Sequence, residues 1–296
     1  MQQDDILSIL DAVELKMLDE ETLGFSPEVL AILDNVEASN NEIEMLKFRI
    51  SQDILMRIFN IANSVYYGSL KKGSIHTFYE VVTRLGMSHT KALIIILALH
   101  LLARDDEEVE AIFARSFASA VIGKILAQHV GMREDTAKKV ELGGLFSEIG
   151  RMILHVYKKM HAPDDERIDD YFIEKYHSYL TERIIHVFAL PDYLKSMVFH
   201  EGIVIEATSI TPSGVMQLAV QFVYASFSKF GNHLVIEPLA LPSGRDQTLS
   251  LEHIIEDQFN AVGLGHYLRI VRKRQRLLPA YEGKKETSPA HEKEKG

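Results

Sequence analysis

The most reactive side chains in the stretch LGGLFSEIGR, residues 142–151, are those of Ser147 and Glu148. A serine hydroxyl acts as a nucleophile when a nearby histidine accepts its proton, and His155 lies eight residues further along the chain. On a single helix, a separation of eight residues places two side chains about two turns apart, beyond hydrogen-bond reach. The spacing therefore argues against a serine nucleophile at Ser147.

Metal binding by histidine and carboxylate side chains is the second chemistry to consider. The chain has no cysteine, so His, Asp and Glu are its only strong metal ligands. His177 and His200 each have a glutamate close by in sequence, Glu174 and Glu201. The two histidines are far apart, however, and Glu174 with His177 is an ordinary i,i+3 pair of a helix. We expect no cofactor and no bound metal, with His177, His200 and Glu174 as the weak candidates.

The charge of the chain bears on its partners. The net charge is −10, and residues 1–60 hold 13 acidic against 4 basic side chains. Nucleic-acid binding needs clustered Lys and Arg, so nucleic acid is an unfavourable partner. The basic cluster RIVRKRQR, Arg269 to Arg276, is interpreted as a solvated helix end. Because no apolar run is long enough to span a membrane and the start MQQDDILSIL lacks a signal-peptide pattern, we expect a cytoplasmic protein and no membrane partner.

The elements that would position these residues are helices, because apolar residues recur at helical spacing and strand-like alternation is scarce. Ser26-Pro27, Ser51 and the capping box Thr77…Glu80 predict helix starts, and Gly86 predicts a helix end. Residues 92–103 are apolar on every side, which predicts an enclosed helix with His100 as a hydrogen-bonded core residue. Later helices are predicted at 133–142, 144–160, 166–189, 192–201, 213–230 and 250–276, with Gly143-Gly144 as a tight junction and the last helix broken at Gly263 and Gly265. The stretch 232–249 is predicted to be a loop that includes one short strand.

The predicted fold class is all-α: an N-terminal helical bundle packed on a second helical region. We divide the chain into an acidic N-terminal helix (1–24), a first helical part (25–107), a second helical part (108–230), a C-terminal loop with helices (231–278) and a disordered tail (279–296). The tail is assigned from its Lys, Glu and Pro content.

A candidate interaction seam follows the helix that begins near Ser51. Asn63 and Ser64 precede the aromatic pair Tyr66-Tyr67, and Arg84 lies in the next predicted helix. Asn and Gly commonly end helices and adjacent tyrosines commonly cover a seam, so we favour helix termination with packing. A seam is also where a regulator binds, which keeps these residues as candidates for ligand or partner contact.

The stretches SQDILMRIFNIANSVYYGS (51–69), IHTFYEVVTRLGM (75–87), GGLFSEIGRMIL (143–154) and HSYLTERIIHVFALPDYLKSMVFH (177–200) resemble the HD-related output domain (HDOD) family of bacterial signalling proteins. The resemblance covers roughly residues 25–230. It implies a degenerate form of the fold of the HD metal phosphohydrolases, in which histidines and aspartates hold a metal that activates water.

Where an HD enzyme would read Gly-Leu-Leu-His-Asp-Ile-Gly, this chain reads GLFSEIG, with Ser147 and Glu148 in place of the His-Asp pair. Ser116 stands where the resemblance would place an earlier histidine ligand. Serine is a poor ligand for such a metal. The resemblance therefore implies a non-catalytic signal-transduction module acting on a protein partner or through a small regulatory ligand. The alternative is a divergent metal-dependent phosphohydrolase that uses His177, His200, Glu148 and Glu174 on a phosphodiester or nucleotide.

Overall fold

The computed structural model describes residues 3–18, 20–64, 74–102, 106–198, 210–236 and 251–270. Over these ranges the chain is almost entirely helical, which confirms the all-α prediction. The N-terminal helices are α1 Gln3–Met17, α2 Glu20–Leu23, α3 Pro27–Asp34, α4 Asn40–Met45, α5 Gln52–Asn63, α6 Phe78–Leu85 and α7 Met87–Leu102. The later helices are α8 Glu107–His129, α9 Glu134–Phe146, α10 Ile149–His161, α11 Asp170–Val187, α12 Pro212–Lys229 and α13 Leu251–Ala261. Short 3₁₀ turns cover Leu46–Phe48, Asp192–Met197 and Gly265–Tyr267.

The helix ends follow from local side-chain chemistry. The Thr77 hydroxyl accepts from the Glu80 amide and the Glu80 carboxylate accepts from the Thr77 amide, which confirms the predicted capping box of α6. Gly86 ends α6 with a φ of 93°, a conformation that favours glycine. Asp106 caps the long helix α8 by accepting from the amides of Glu108 and Val109.

Helix α7 lies inside the molecule. Ala92 to Leu99 are all buried, and α7 packs on α3, α5 and α6 as well as on α9 and α10. His100 is also buried; its Nδ1 lies 3.1 Å from Arg57 Nη1 and its ring stacks on Phe113, which confirms the prediction of a hydrogen-bonded core histidine. Within the described ranges, no single helix is long and apolar enough to cross a bilayer. Only α6 and α7 taken together meet that test of length and composition, and they bend by 109° between them.

Helices α8 and α9 form an antiparallel pair at the centre of the later region. The predicted junction at Gly143-Gly144 is wrong, because α9 runs through both glycines and ends at Phe146. The two glycines allow close packing instead: a Cβ on Gly144 would lie 2.4 Å from the Ala120 amide nitrogen, and one on Gly143 would lie 2.6 Å from Met197 Sδ. A tertiary contact, which the local pattern does not reveal, therefore explains this glycine pair.

The C-terminal part of the described chain confirms the predicted break at Gly263 and corrects the prediction of helix beyond it. The predicted helix 250–276 ends at Ala261, and Gly263, with a φ of 82°, turns the chain into a 3₁₀ turn and then strand β2, Leu268–Ile270. Strand β2 pairs in parallel with β1, Leu234–Ile236, which confirms the short strand predicted in 232–249. Arg269 thus lies in a strand rather than at a helix end; the rest of the basic cluster, residues 271–276, lies outside the described residues.

Candidate functional site

The turn between α9 and α10 carries Ser147 and Glu148, and both side chains are fully buried. Ser147 donates its hydroxyl to the Gly144 carbonyl oxygen over 2.7 Å. On the other side of the turn, Gly150 packs against α11 so closely that a Cβ would lie 2.0 Å from the His177 carbonyl oxygen. The Gly150 amide donates to Thr181 Oγ1 over 3.1 Å. One glycine on each side therefore holds this turn between α8 and α11.

Glu148 is surrounded by hydrogen-bond donors from three helices. Arg115 of α8 donates to both carboxylate oxygens: its Nε lies 3.1 Å from Oε1 and its Nη2 lies 2.8 Å from Oε2. Tyr224 of α12 donates its hydroxyl to Oε2 over 2.8 Å, and Arg151 Nε of α10 lies 3.4 Å from the same oxygen. Bidentate contact with a guanidinium is among the strongest arrangements open to a buried carboxylate.

Arg151 joins Glu148 to the candidate residues of α11. Its guanidinium forms a two-pronged ion pair with Glu174, and its Nη2 lies 3.4 Å from His177 Nε2. The structure thus brings together Glu148, Glu174 and His177, three of the four residues of the divergent metal site. The group at the centre of these three residues is a guanidinium. His200 lies outside the described residues.

The electrostatics of this cluster fix the protonation states of Arg115 and Tyr224 near neutral pH. Burial opposes the charge on Arg115, but the Glu148 carboxylate outweighs burial and the pKa of Arg115 lies above its usual value. Burial and then the charge of Glu148 raise the pKa of Tyr224 well above its usual value. Near neutral pH, Arg115 is therefore charged and the Tyr224 hydroxyl keeps its proton for Glu148.

These residues do not fit a divalent metal ion. A metal ligand must direct an oxygen lone pair at the ion, whereas the Glu148 oxygens already accept from a guanidinium and a phenol. The cations beside Glu148 would also repel a second cation. Across the part of the chain that the structure describes, no group of three or more His, Asp or Glu side chains is arranged to hold a metal.

Sequence reasoning named Ser116 and missed its neighbour Arg115. Ser116 is buried in α8, and it is Arg115 that reaches Glu148. Arg151 and Tyr224 were missed as well. The available signal was a charged residue inside an apolar helical stretch, FARSF for Arg115 and IGRMIL for Arg151, because a buried charge needs an opposite partner.

A cavity of about 440 Å³ opens beside this cluster, between α8 and α10. Arg115 and Arg151 form part of its wall together with His155, whose Nδ1 lies 3.5 Å from Glu108 Oε2. Burial lowers the pKa of His155. His155 belongs to α10, whereas Ser147 lies in the turn that follows α9, so the assumption that both lie on one helix is wrong. Ser147 donates its hydroxyl to the Gly144 carbonyl oxygen, whereas His155 Nδ1 faces the Glu108 carboxylate at 3.5 Å.

The seam residues that the structure describes gather at the end of α5. The Asn63 side chain accepts from the Ile75 amide over 2.6 Å and donates to the Ile75 carbonyl over 3.2 Å. Ser64 donates to the Ile61 carbonyl oxygen, and Arg84 donates to the Ala62 carbonyl oxygen over 3.1 Å. All three therefore serve the termination of α5. Tyr66 and Tyr67 lie outside the described residues.

The fold of this chain has a counterpart among solved structures. No curated protein matches the chain. A putative metal-dependent phosphohydrolase from Shewanella amazonensis SB2B is similar over 88% of this chain and 98% of its own, with 15% identity and a TM-score of 0.51, a likeness of fold alone. An HDOD domain protein with unknown function from Geobacter sulfurreducens aligns over 86% of this chain and 88% of its own, with 15% identity and a TM-score of 0.45.

The model of the HDOD domain family matches residues 24–201, which is more than half of the chain. This match confirms the resemblance carried by the stretches around Asn63, Arg84 and Ser147-Glu148. The chain belongs to the HDOD family.

Proposed function

We propose that this protein is a non-catalytic signal-transduction module of a bacterial, cytoplasmic pathway, and that it acts by contacting a partner protein. The observation that carries the proposal is the state of Glu148. This carboxylate is fully buried and is occupied by Arg115 and Tyr224, with Arg151 alongside. A turn that would present metal ligands in an HD enzyme here forms a network that ties α8, α10 and α12 together.

The network stabilises the fold in place of a metal. The cations that face the turn are guanidinium groups, which belong to the chain and do not exchange with solvent. Ser147, fully buried and bonded to Gly144, cannot reach a substrate. What remains available for function is therefore the surface of the helices and the cavity between α8 and α10. A small ligand in that cavity would contact Arg115 and Arg151 directly and so act on the network.

The metal content of untagged protein tests the non-catalytic half of the proposal. The protein would be purified without chelator from cells grown with added iron, manganese and zinc, and analysed by mass spectrometry. We expect far less than one equivalent of metal and no hydrolysis of a general phosphodiester substrate in the presence of manganese. One equivalent of metal that is lost in His177→Ala, with the helical circular dichroism signal unchanged, would revive the phosphohydrolase alternative.

Partner contact through the seam is tested by substituting the aromatic pair. Tyr66→Ala and Tyr67→Ala should weaken capture of the partner by the immobilised protein. Tyr171→Ala is the matched control, because Tyr171 is an exposed tyrosine of a different helix, α11. Equal capture by all variants would count against the seam as the contact surface.

A further inference from the structure

The cavity of about 440 Å³ between α8 and α10 has two ends of different charge, which we call the acidic end and the arginine end. Helix α8 places Glu107 and Glu108 at the acidic end and Arg115 at the arginine end, about 10 Å further along the helix axis. On α10, Arg151 lies at the arginine end, and His155 lies at the acidic end beside Glu108. A ligand that fills the cavity therefore meets guanidinium groups at one end and carboxylates at the other.

The arginine end offers hydrogen-bond donors but little net charge. The charges of Arg115 and Arg151 are matched by those of Glu148 and Glu174, with which they form ion pairs. A guanidinium has N–H donors on all three of its nitrogen atoms, and the hydrogen bonds from Arg115 to Glu148 use Nε and Nη2. The N–H groups of Nη1 take no part in that contact, and the Arg115 side chain is 16% exposed. This end therefore suits a single further acceptor, such as one carboxylate.

The acidic end carries negative charge that its neighbours do not offset. Glu107 and Glu108 are both exposed at the mouth of the cavity. Burial, against the attraction of Glu108, lowers the pKa of His155, so the imidazole is neutral near pH 7. Among the described residues, neither glutamate forms an ion pair with a Lys or Arg side chain. The acidic end therefore attracts a cation.

This distribution of charge disfavours a phosphate as the ligand. A phosphomonoester carries a charge of about −1.5 to −2 at pH 7. At the arginine end it would join the carboxylates of Glu148 and Glu174 against two guanidinium groups. The rest of the molecule would extend toward Glu107 and Glu108. Like charges brought together in a binding site oppose binding.

A ligand with one carboxylate and one ammonium group instead meets a complementary group at each end. Between the ends, the cavity wall includes Ala111 and Ile112, whose side chains are apolar and buried. Methylene groups that pack against such a wall are removed from water, which favours binding. Because the ends lie about 10 Å apart along α8, the two charged groups of the ligand need several methylene groups between them.

We propose that this cavity binds a small zwitterion in which a carboxylate and an ammonium group are joined by several methylene groups, as in free lysine and other amino acids of that shape. The carboxylate accepts from Arg115, the methylene groups lie along Ala111 and Ile112, and the ammonium group lies at Glu107 and Glu108. The ligand thus contacts the side chain that holds Glu148. The proposal rests on the proposed function, because it names the class of small ligand that a non-catalytic module would sense here.

Isothermal titration calorimetry of the full chain with a matched set of small molecules tests the proposal. The amino acids L-lysine and ε-aminocaproate carry both charged groups, whereas caproate lacks the ammonium group and hexylamine lacks the carboxylate. We expect L-lysine and ε-aminocaproate to bind at one site. Caproate and hexylamine should bind about tenfold more weakly or less, because each leaves one end of the cavity without its complement. Inorganic phosphate should bind more weakly than ε-aminocaproate.

Substitutions at the acidic end locate the site, since its carboxylates lie at the surface. The double variant Glu107→Gln/Glu108→Gln removes both charges and keeps the side-chain shapes, so ε-aminocaproate should bind about tenfold more weakly. Asp4→Asn/Asp5→Asn is the matched control, because it removes two acids from the first turn of α1 as the other variant does from α8. Its affinity should be unchanged. Circular dichroism checks that both variants are folded, and the comparison of small molecules on the unmodified chain depends on neither.

Several results would overturn the proposal. One is the absence of binding by both L-lysine and ε-aminocaproate at millimolar concentration. Another is equal binding of hexylamine and ε-aminocaproate, because the arginine end would then take no carboxylate. Unchanged affinity in Glu107→Gln/Glu108→Gln would place the ligand elsewhere, and tighter binding of inorganic phosphate would make the cavity a phosphate site. A protein without metal that binds neither zwitterion would end this inference alone and leave the non-catalytic module in place.

Discussion

Two buried glutamates of the α9–α10 region meet cations of α8, and the two pairs are built differently. Glu141 Oε2 lies 3.2 Å from Lys124 Nζ and 3.9 Å from His89 Nε2. Glu148 lies in the turn after α9. Its carboxylate accepts from the planar guanidinium of Arg115 and from the hydroxyl of Tyr224. An ammonium acts as a point charge, whereas a guanidinium holds both carboxylate oxygens in a fixed geometry.

The difference indicates which of the two glutamates has a neighbouring side chain that can gain a proton. Burial and the nearby charge of Lys124 lower the pKa of His89 to about 4, against the attraction of Glu141, so near neutral pH His89 is an uncharged neighbour of Glu141. If Lys124 were lost, His89 could bind a proton and take its place. Glu148 has fixed partners: the guanidinium of Arg115 remains charged and the phenol of Tyr224 remains neutral across the ordinary pH range. We therefore expect the Glu148 pair to be the more costly one to break.

Substituting Arg115 should have the largest effect. Arg115→Met leaves Glu148 buried without its bidentate partner, and breaking a buried ion pair by removing one partner costs about 3–5 kcal/mol. Urea unfolding at pH 7 measures the loss in the free energy of unfolding. A loss no greater than that of Lys124→Met would show that the two pairs are equivalent, and the comparison would fail.

The Glu141–Lys124 and Glu148–Arg115 ion pairs both depend on the close approach of α8 and α9. A larger distance between these helices should therefore weaken both pairs. Gly144→Ala puts a Cβ 2.4 Å from the Ala120 amide nitrogen, which is backbone and cannot move aside cheaply. Overpacking of this kind costs about 2–3 kcal/mol. Gly123→Ala is the matched control, because the nearest atom to its Cβ would be a side-chain carbon of Val140, at 3.1 Å, with Ala219 Cβ and the Val140 carbonyl oxygen at ordinary contact distances of 3.6 and 3.9 Å. Thermal and urea unfolding of the two variants should differ clearly, and equal stability would contradict the role of Gly144.

Tyr224→Phe removes one hydrogen bond from Glu148 and leaves Arg115 in place. A hydrogen bond to a charged buried group contributes about 2 kcal/mol, so the loss should be smaller than that of Arg115→Met. The double variant measures the coupling between the two donors. Strictly additive losses would show that Tyr224 and Arg115 do not act on one carboxylate as a unit.

Lys124→Met should have the smallest effect at pH 5, about 1 kcal/mol, because loss of the Lys124 charge raises the pKa of His89 and a protonated imidazole then replaces part of the lost charge. In the unmodified protein the depressed pKa of His89 contributes stability above the unfolded value of 6.5, and this stability is lost as the pH falls toward about 4. In Lys124→Met the pKa of His89 rises, so less is lost on acidification. Urea unfolding at pH 7 and pH 5 should show the two proteins converging, with the imidazole pKa followed by NMR. If the difference in the free energy of unfolding between the two proteins were larger at pH 5 than at pH 7, His89 would not be replacing the charge of Lys124.

The predictable parts of the fold are those set by local chemistry. The capping box at Thr77 and Glu80, the break at Gly86 and the enclosed helix around Ala92 to Leu99 were all evident in the sequence, because each depends on residues a few positions apart. The glycines at 143 and 144 misled the same reasoning. They suggested a break, yet they lie within a helix because α8 requires the space that a Cβ would fill.

The candidate site divides in a similar way. The resemblance located the turn at Ser147 and Glu148 and the neighbouring α11 residues Glu174 and His177. The residues that decide its chemistry, Arg115, Arg151 and Tyr224, come from three helices and converge only through tertiary packing. Burial of a lone arginine in an apolar stretch requires an anion somewhere. Which anion serves it depends on helix packing rather than on sequence distance.

The burial of α7 has a consequence for how this family can vary. From Ala92 to Leu99 every side chain is in contact with other helices, so this segment has no solvent side on which polar substitutions would be neutral. In a library of single substitutions, tolerance to polar residues along α11 should rise and fall with the turns of the helix, since α11 has one exposed face. Along α7 it should stay uniformly low. Relatives would then diverge at α7 by exchanging one apolar shape for another, with compensating changes in the helices on both sides.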